Sequence, residues 1–306
     1  MVKTYFNLKN IFATSSTLIL ASLHNYAVLA APKTTNGNVL LSADVNWNPS
    51  APIDGDYIVF GGNHTINANA SGRIISAIDL NGNLPGTFSI NKSLSIGSIG
   101  GAGAGTLNFK FVAGNETVQL TGTGAGAIAA NDYTKFTSID FNGLNSILKI
   151  SSNNANLATN FYGNKSGTFG EVGGTIEIDA NNVILSGAFE DTLVRRVVNL
   201  NVNSGNNLIL DTDLKLYNEL RLEDLATLTV RPGKNLSARN IQSNPSSGLT
   251  ELSTINFEGD SEVDSFIGLE ENGVGVGRAV YCSRHLRRSG QTGGRPVHFG
   301  TGRAAG

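Results

Sequence analysis

Residues 173–189 read GGTIEIDANNVILSGAF, and residues 198–214 read VNLNVNSGNNLILDTDL. Both stretches have the same order: a strand of alternating apolar and polar residues, an asparagine-rich turn, an apolar triplet and a polar exit. Every second side chain of such a strand points to one face, so the apolar ones can be buried together. The stretch LRLEDLATLTVRPG follows at residues 220–233 after a similar step. Quasi-repetition at about twenty residues a step is typical of a chain that winds into stacked rungs.

The same alternation recurs in short runs between residues 35 and 270, separated by turn sequences such as Asn36-Gly37 and Asn181-Asn182. The apolar members expected to face inward are Leu107, Phe109, Phe111, Ile139, Phe141, Ile176, Ile178, Val198, Leu200, Val202, Ile255 and Phe257. Weak helical patterns cover residues 127–136, 153–161 and 189–197. The sequence therefore predicts a mostly β protein. A β-solenoid is favoured over β-sandwich or meander modules, with asparagine ladders between rungs explaining the frequency of that residue.

The amino terminus is predicted to be a secretory signal over residues 1–30. Lys3 and Lys9 precede an apolar core at residues 11–23, and VLA at residues 28–30 offers small residues for cleavage after Ala30 or Ala31. No later segment has the roughly 20 apolar residues of a membrane helix, so the mature chain is expected to have no membrane span. Residues 31–271 are then a β-rich passenger region.

The last 35 residues differ in composition from this body. Residues 31–271 hold all 24 acidic residues of the chain, whereas residues 272–306 carry six arginines and no acid. An acidic body argues against nucleic-acid binding. The tail, with its single cysteine Cys282, has no strand or helix period. It is expected to be disordered or out-of-frame sequence, the alternative being a basic arm that binds an acidic surface.

The segment GTGAGA at residues 122–127 imitates a dinucleotide-binding fingerprint, with Gly122, Gly124 and Ala127 at its fixed positions and Asp140 downstream. Such a site needs a crossover helix whose amino end holds the pyrophosphate. The following residues, which include Asn131, are poor helix formers. We therefore interpret GTGAGA as a connection between rungs and predict no nucleotide and no other cofactor.

Reactive and metal-binding residues are sparse. Between the signal and the tail the only histidine is His64, which is predicted to lie in an exposed loop, and no nucleophile elbow is present. Glycan cleavage would need clustered carboxylates, for which Asp54 with Asp56 and Asp211 with Asp213 are the candidate pairs. The acidic turns at residues 54–56 and 258–264 match no calcium motif. The prediction is no metal and no catalytic residue.

The stretches SLSIGSIGGAGAGTLNF (93–109), GTFGEVGGTIEIDANNVIL (167–185) and NLNVNSGNNLILDTDLKLYN (199–218) give the chain a resemblance to a known family. It resembles the amino-terminal passenger of rickettsial surface-antigen autotransporters of the outer membrane protein A and B type. The resemblance covers roughly residues 1–270. It implies an exported β-helical passenger, displayed on an intracellular bacterium, that acts in adhesion to host cells or entry into them.

Intact relatives of that type end in a membrane β-barrel, for which this sequence shows no pattern. The expectation is a truncated passenger that is periplasmic or secreted, where intact relatives are at the cell surface. Three functions stay open: binding to a host-cell surface molecule, a structural surface layer that self-associates, and a polysaccharide-active enzyme. The first is favoured because solenoids bind over extended lateral faces.

Overall fold

The computed structural model describes residues 31–60, 62–82, 84–141, 145–163, 173–190, 196–244, 253–269, 280–281 and 296–298. All regular elements among these residues are strands. In chain order they are β1 Pro32–Thr35, β2 Val39–Leu40, β3 Trp47–Asn48, β4 Tyr57–Val59, β5 Thr65–Ala68, β6 Arg73–Asp79, β7 Gly86–Ile90, β8 Leu94–Gly100, β9 Leu107–Phe111, β10 Thr117–Leu120, β11 Phe136–Phe141, β12 Ile147–Ile150, β13 Asn156–Leu157, β14 Asn160–Tyr162, β15 Thr175–Ile178, β16 Val183–Leu185, β17 Val197–Val202, β18 Asn207–Leu210, β19 Leu214–Glu223, β20 Thr227–Val230, β21 Leu236–Asn244, β22 Thr254–Phe257, β23 Val263–Leu269, β24 Val280–Tyr281 and β25 Pro296–His298.

The strands form three sheets that run along one column. The long sheet has thirteen strands in the order β24-β23-β21-β19-β17-β15-β12-β10-β8-β6-β4-β1-β3. A second sheet has the order β14-β11-β9-β7-β5-β2, and a third has the order β13-β16-β18-β20-β22-β25. Each strand of the long sheet pairs with the strand one winding away, in parallel everywhere except at β3 and β24. This is a β-solenoid, so the favoured fold is confirmed and the sandwich alternative is wrong.

The windings differ in length. Thr117 pairs with Ile147, thirty residues further on, whereas Asn199 pairs with Glu219, only twenty residues further on. Both pairings keep the inward positions stacked on inward positions. The rungs therefore share one core even though their turns differ in size.

The core is a continuous stack of side chains inside the column. Nearly every inward residue predicted from the alternation is buried there. Aromatic side chains stack from rung to rung behind the second sheet: the ring centroids of Phe88 and Phe109 are 5.4 Å apart, and those of Phe109 and Phe136 are 4.4 Å apart. Such offset ring pairs add about 0.5–1.5 kcal/mol each beyond the area that they bury.

Val198 differs from its prediction. It is only half-buried, whereas Val197 is fully buried, because the pairing of β17 with β19 shifts register between Val197 and Asn199. Side chains alternate between the two faces of a strand, so one irregular residue moves the side chains on one side of it to the opposite face.

The second wall of the column is built from different sheets in its two halves. Residues 156–162 contain both β13 and β14. Strand β13 is an edge strand of the third sheet, and β14 is an edge strand of the second sheet. Among the described residues, the second sheet is continued beyond β14 by a single bridge between Phe161 and Phe189, whose rings stack at 4.7 Å. The long sheet alone runs unbroken through both halves.

Asparagine ladders join the turns of successive rungs, as predicted. The side-chain amide of Asn182 donates to the Oδ1 of Asn154 at 3.0 Å, and the amide of Asn207 donates to the Oδ1 of Asn182 at 3.2 Å. Asn154 and Asn182 have φ angles of 61° and 57°, a left-handed conformation that asparagine tolerates better than most residues. Asparagine therefore meets two requirements at these positions: it tolerates the left-handed backbone of the turn, and its side chain forms the hydrogen bonds of the ladder.

Residues 36–56 cover the amino-terminal end of the column. Within them β3 runs antiparallel to β1, and Trp47 is buried with its indole Nε1 donating to the carbonyl of Leu40 at 2.9 Å. This amino-terminal cap protects the first strand edge, which would otherwise offer unpaired backbone groups.

Two short strands of the tail are described. Strand β24 pairs antiparallel with β23, and β25 pairs antiparallel with β22. These five residues are the part of the tail that the structure describes. Residues 270–279, 282–295 and 299–306, like the signal at residues 1–30, lie outside the described residues, so those predictions stay predictions.

The helical patterns predicted from the sequence are wrong where they can be checked. Residues 127–136 form turns and the start of β11, and residues 153–161 contain β13 and part of β14. Residues 191–195 of the third pattern lie outside the described residues. In these ranges, apolar residues recur three or four positions apart because short strands alternate with tight turns, and this spacing resembles that of a helix.

Candidate interaction face

The outer side of the long sheet carries two rows of polar side chains, which we call the polar face. Strand register aligns each row along the column axis, with steps of about 4.8 Å between neighbouring strands. One row contains Thr117, Thr175, Asn199, Glu219 and Asn240, with the apolar Ile147 between Thr117 and Thr175. The other contains Ser95, Gln119, Lys149, Glu177, Asn201, Arg221 and Gln242. All these side chains are half-buried by their neighbours.

Lys149 is the centre of a charged network on this face. Its Nζ lies 2.8 Å from Asp179 Oδ2 and 3.0 Å from Glu177 Oε1, one rung along. The hydrogen bond to Asp179, joined by that to Glu177 and opposed by partial burial, raises the pKa of Lys149. Asn203 extends the network to a third rung, since its amide donates to Glu177 at 2.9 Å. The sequence did not predict this cluster, because its members meet only through the rung register.

The polar face continues on both sides of this network. The amide of Gln119 donates to Ser151 at 3.0 Å, and Arg221 Nε lies 3.0 Å from Glu219 Oε1. The asparagine ladders occupy the turns that follow several of these strands. Repeated donors and acceptors on a flat, regularly spaced surface can bind an extended partner by hydrogen bonds and ion pairs.

The candidate carboxylate pairs lie in turns rather than on strands. Asp54 accepts the amide of Ile74 at 3.1 Å and faces Arg73 at 3.8 Å, whereas Asp56 is buried. Asp213 accepts the amide of Asn235 at 2.9 Å, and Asp211 is exposed. Three of the four carboxylates therefore hold backbone turns.

The GTGAGA segment connects β10 to β11, which confirms its interpretation as a connection between rungs. Gly122 has a φ of 75°, its amide donates to Gly97 at 3.2 Å, and its carbonyl accepts the amide of Asn131 at 3.0 Å. The space at Gly124, beside Ala127, is filled by backbone atoms of residues 128–130. Asp140 lies in β11, on the outer side of the second sheet.

Tyr133 fills the corner beneath this connection and gives a testable pH effect. Its hydroxyl donates to the carbonyl of Gly97 at 3.0 Å, and burial raises the pKa of Tyr133 to about 12. In the unfolded chain a tyrosine ionises near pH 10. Between these values the unfolded chain loses a proton that the folded chain keeps, so stability should fall as the pH rises, by up to about 2.7 kcal/mol.

Urea unfolding at pH 8.5 to 12 checks this effect, with Tyr133→Phe as the control. The difference in unfolding free energy between the native chain and the variant should shrink steadily above pH 10. A difference that stays constant across this range would contradict the buried neutral hydroxyl.

His64 is not an exposed loop residue, so that prediction is wrong. It is half-buried just before β5, and its Nδ1 lies 2.8 Å from the hydroxyl of the buried Thr35. This contact joins two neighbouring rungs. Among the described residues, no group of three or more His, Cys, Asp or Glu side chains could hold a metal ion. In the same part of the chain, no helix has the length and apolarity to cross a bilayer.

Together the three sheets and the polar face define a β-solenoid with a long, polar lateral surface. The chain is similar to Outer membrane protein A of Rickettsia rickettsii, with 29% identity over 235 residues that cover 68% of this chain. The alignment spans 10% of that relative's length. This match confirms the resemblance to rickettsial surface antigens. No family model matches the chain, and no solved structure matches it.

Proposed function

We propose that this chain is the exported passenger region of a surface antigen and binds a molecule of the host-cell surface through its polar face. The observation that carries the proposal is the continuity of that face along the long sheet. Its charges are mixed, with Lys149 and Arg221 beside Glu177, Asp179 and Glu219. Such a surface favours a partner that offers both donors and acceptors over one that carries a single charge.

The relative's name supports a location at the outer membrane or cell surface. The chain spans about a tenth of that relative, so the location and the partner of the whole relative reach this chain only as part of the proposal. A lateral solenoid face suits this setting because many weak contacts along a column sum to useful affinity without a deep pocket.

A non-enzymatic role fits the carboxylates better than glycan cleavage does. A glycosidase needs two carboxyl groups on either side of the scissile bond. The Oδ2 of Asp56 instead accepts the amide of Ile53 at 3.0 Å and lies 3.5 Å from the Nζ of Lys33. Asp213 holds the amide of Asn235 at 2.9 Å. Glycan release by the purified chain that disappears with Asp211→Asn and Asp213→Asn would favour the enzyme instead.

Removing two charges from the polar face should weaken binding to host cells. The double variant Lys149→Ala with Arg221→Ala should bind at least tenfold more weakly than the native chain, because two hot-spot contacts of about 1 kcal/mol or more each together exceed the roughly 1.4 kcal/mol of a tenfold change. Saturation binding of labelled protein to cultured host cells measures this effect.

The matched control is Lys110→Ala with Arg231→Ala. It removes the same two residue types from the second-sheet and third-sheet sides of the column, where Lys110 is exposed and Arg231 pairs with Glu258 at 2.8 Å. Equal weakening by both double variants would assign binding to overall charge. Binding of the native chain no stronger than that of an unrelated acidic β protein would reject the proposal.

A structural layer that self-associates is the second candidate. Exposed apolar side chains gather near the amino-terminal cap, where Leu40, Val45, Ile53 and Ile74 are all exposed. Apolar surface of this kind marks contact sites when it is contiguous. Light scattering at rising concentration distinguishes this candidate, because a layer component should assemble and a monovalent adhesin should stay monomeric.

A further inference from the structure

Asp56 is a buried carboxylate beside the first described residue of the chain. Its exposed fraction is 3%. Its Oδ1 accepts the backbone N–H of Ala31 at 3.2 Å, and its Oδ2 accepts that of Ile53 at 3.0 Å. Lys33 Nζ, itself 8% exposed as a residue, lies 3.5 Å from the same Oδ2. A carboxylate out of water needs such partners, because an uncompensated buried charge is costly.

The nitrogen of Ala31 is held near Asp56 by the first rung. The carbonyl of Ala31 accepts the amide of Tyr57 at 3.1 Å, and the next residue, Pro32, pairs in register with Tyr57. The backbone ladder of β1 and β4 therefore fixes this nitrogen in place. In a chain that still carries residues 1–30, the nitrogen is an uncharged amide with a single hydrogen.

We propose that removal of the predicted signal after Ala30 converts this nitrogen into an ammonium group that pairs with Asp56 and stabilises the first rung. The bond between the Ala30 carbonyl carbon and the Ala31 nitrogen breaks, and water supplies a hydroxyl to the carbon and a hydrogen to the nitrogen. The proton that the new carboxylic acid releases is taken up by the new amine. Asp56 then faces a positive charge on each of its two oxygens.

The two predicted cleavage positions leave different groups beside Asp56. Cleavage after Ala31 would leave Pro32 as the terminus and remove the nitrogen that contacts Asp56. Cleavage after Ala30 keeps it and gives it a charge. The amino-terminal cap, which rests on β1 through β3, should therefore be more stable in the cleaved protein than in its precursor.

The experiment compares two forms of the full chain that begins at Ala31, one with a free amino terminus and one with an acetylated terminus. Acetylation keeps one N–H donor and removes the charge. It should lower the equilibrium constant for folding of the first rung about tenfold, since hydrogen bonds between charged groups are the stronger ones. Urea unfolding followed by fluorescence measures this rung, because Trp47 in the cap is the one tryptophan of the sequence.

Asp56→Asn supplies the control, because acetylation should have little effect once the carboxylate is gone. An equal effect of acetylation in the native and Asp56→Asn chains, or no effect in the native chain, overturns the proposal. Both outcomes are independent of host-cell binding, so they leave the proposed function untouched.

A second measurement keeps the test decisive if Asp56→Asn does not fold. The pH at which an amine reagent half-labels the free terminus should exceed the ordinary value of about 7.7–8.0. The charged groups near this terminus are Asp56 and Lys33, with Asp54 and Arg73 paired in the neighbouring turn at 3.8 Å. An ordinary labelling profile overturns the pairing. Amino-terminal sequencing of the exported chain should begin at Ala31, and a sequence beginning at Pro32 overturns the choice of cleavage position.

Discussion

Replacement of Gly97 by alanine should cost about 4 kcal/mol or more of unfolding free energy. A Cβ atom at this position would lie 1.8 Å from the carbonyl oxygen of Ser76 and 2.2 Å from that of Thr123. Both are backbone atoms of the adjacent windings, so they cannot rotate away as a side chain could. Relief requires the rungs to separate, which breaks the hydrogen bonds between parallel strands. Urea unfolding followed by circular dichroism measures the loss.

Gly82→Ala is the matched control, because its Cβ would meet no atom closer than 3.7 Å. It should change stability by no more than about 0.5 kcal/mol. Gly187→Ala repeats the test in the other half of the column, where the Cβ would lie 1.7 Å from the carbonyl oxygen of Thr159. A Gly97→Ala protein within 1 kcal/mol of the native chain would show that the rung spacing at this corner is wrong.

Phe109→Ala should cost about 3–5 kcal/mol, the range for removing a buried phenylalanine. Phe109 is fully buried and its ring lies between those of Phe88 and Phe136 on the neighbouring windings. The variant loses both ring contacts and leaves a cavity that the rigid ladder cannot close. Thermal and urea unfolding measure the change.

Two variants calibrate this value. Phe109→Leu keeps most of the volume and should cost much less than Phe109→Ala. Lys110→Ala changes the exposed neighbour on the same strand and should be nearly neutral. Equal costs for the alanine and leucine variants would contradict a well-packed ladder at this rung.

The inward faces and the winding architecture could be predicted from the sequence because they depend on local alternation. Phe109, Ile176 and Leu200 are buried as the pattern requires. Asparagine at recurring turns predicted ladders between rungs, and Asn154 and Asn182 form one. These features need only the knowledge that side chains alternate along strands and that similar segments stack.

The polar network and the change of the second wall could not be predicted in the same way. Lys149 contacts Asp179 only because β12 and β15 pair in register, and the turns that separate these two strands in the sequence differ in length. The sequence does not encode turn lengths in a simple pattern, since the winding from Thr117 to Ile147 has thirty residues and the winding from Asn199 to Glu219 has twenty. His64 appeared to be an exposed loop residue because its partner Thr35 lies a full winding away.

The reversed strands at the two ends of the long sheet limit how copies of this protein can meet. Strands β3 and β24 run antiparallel to their neighbours, so at each end of the long sheet the last described strand does not continue the parallel pairing. A further strand wound in the direction of the others would therefore meet β3 or β24 antiparallel.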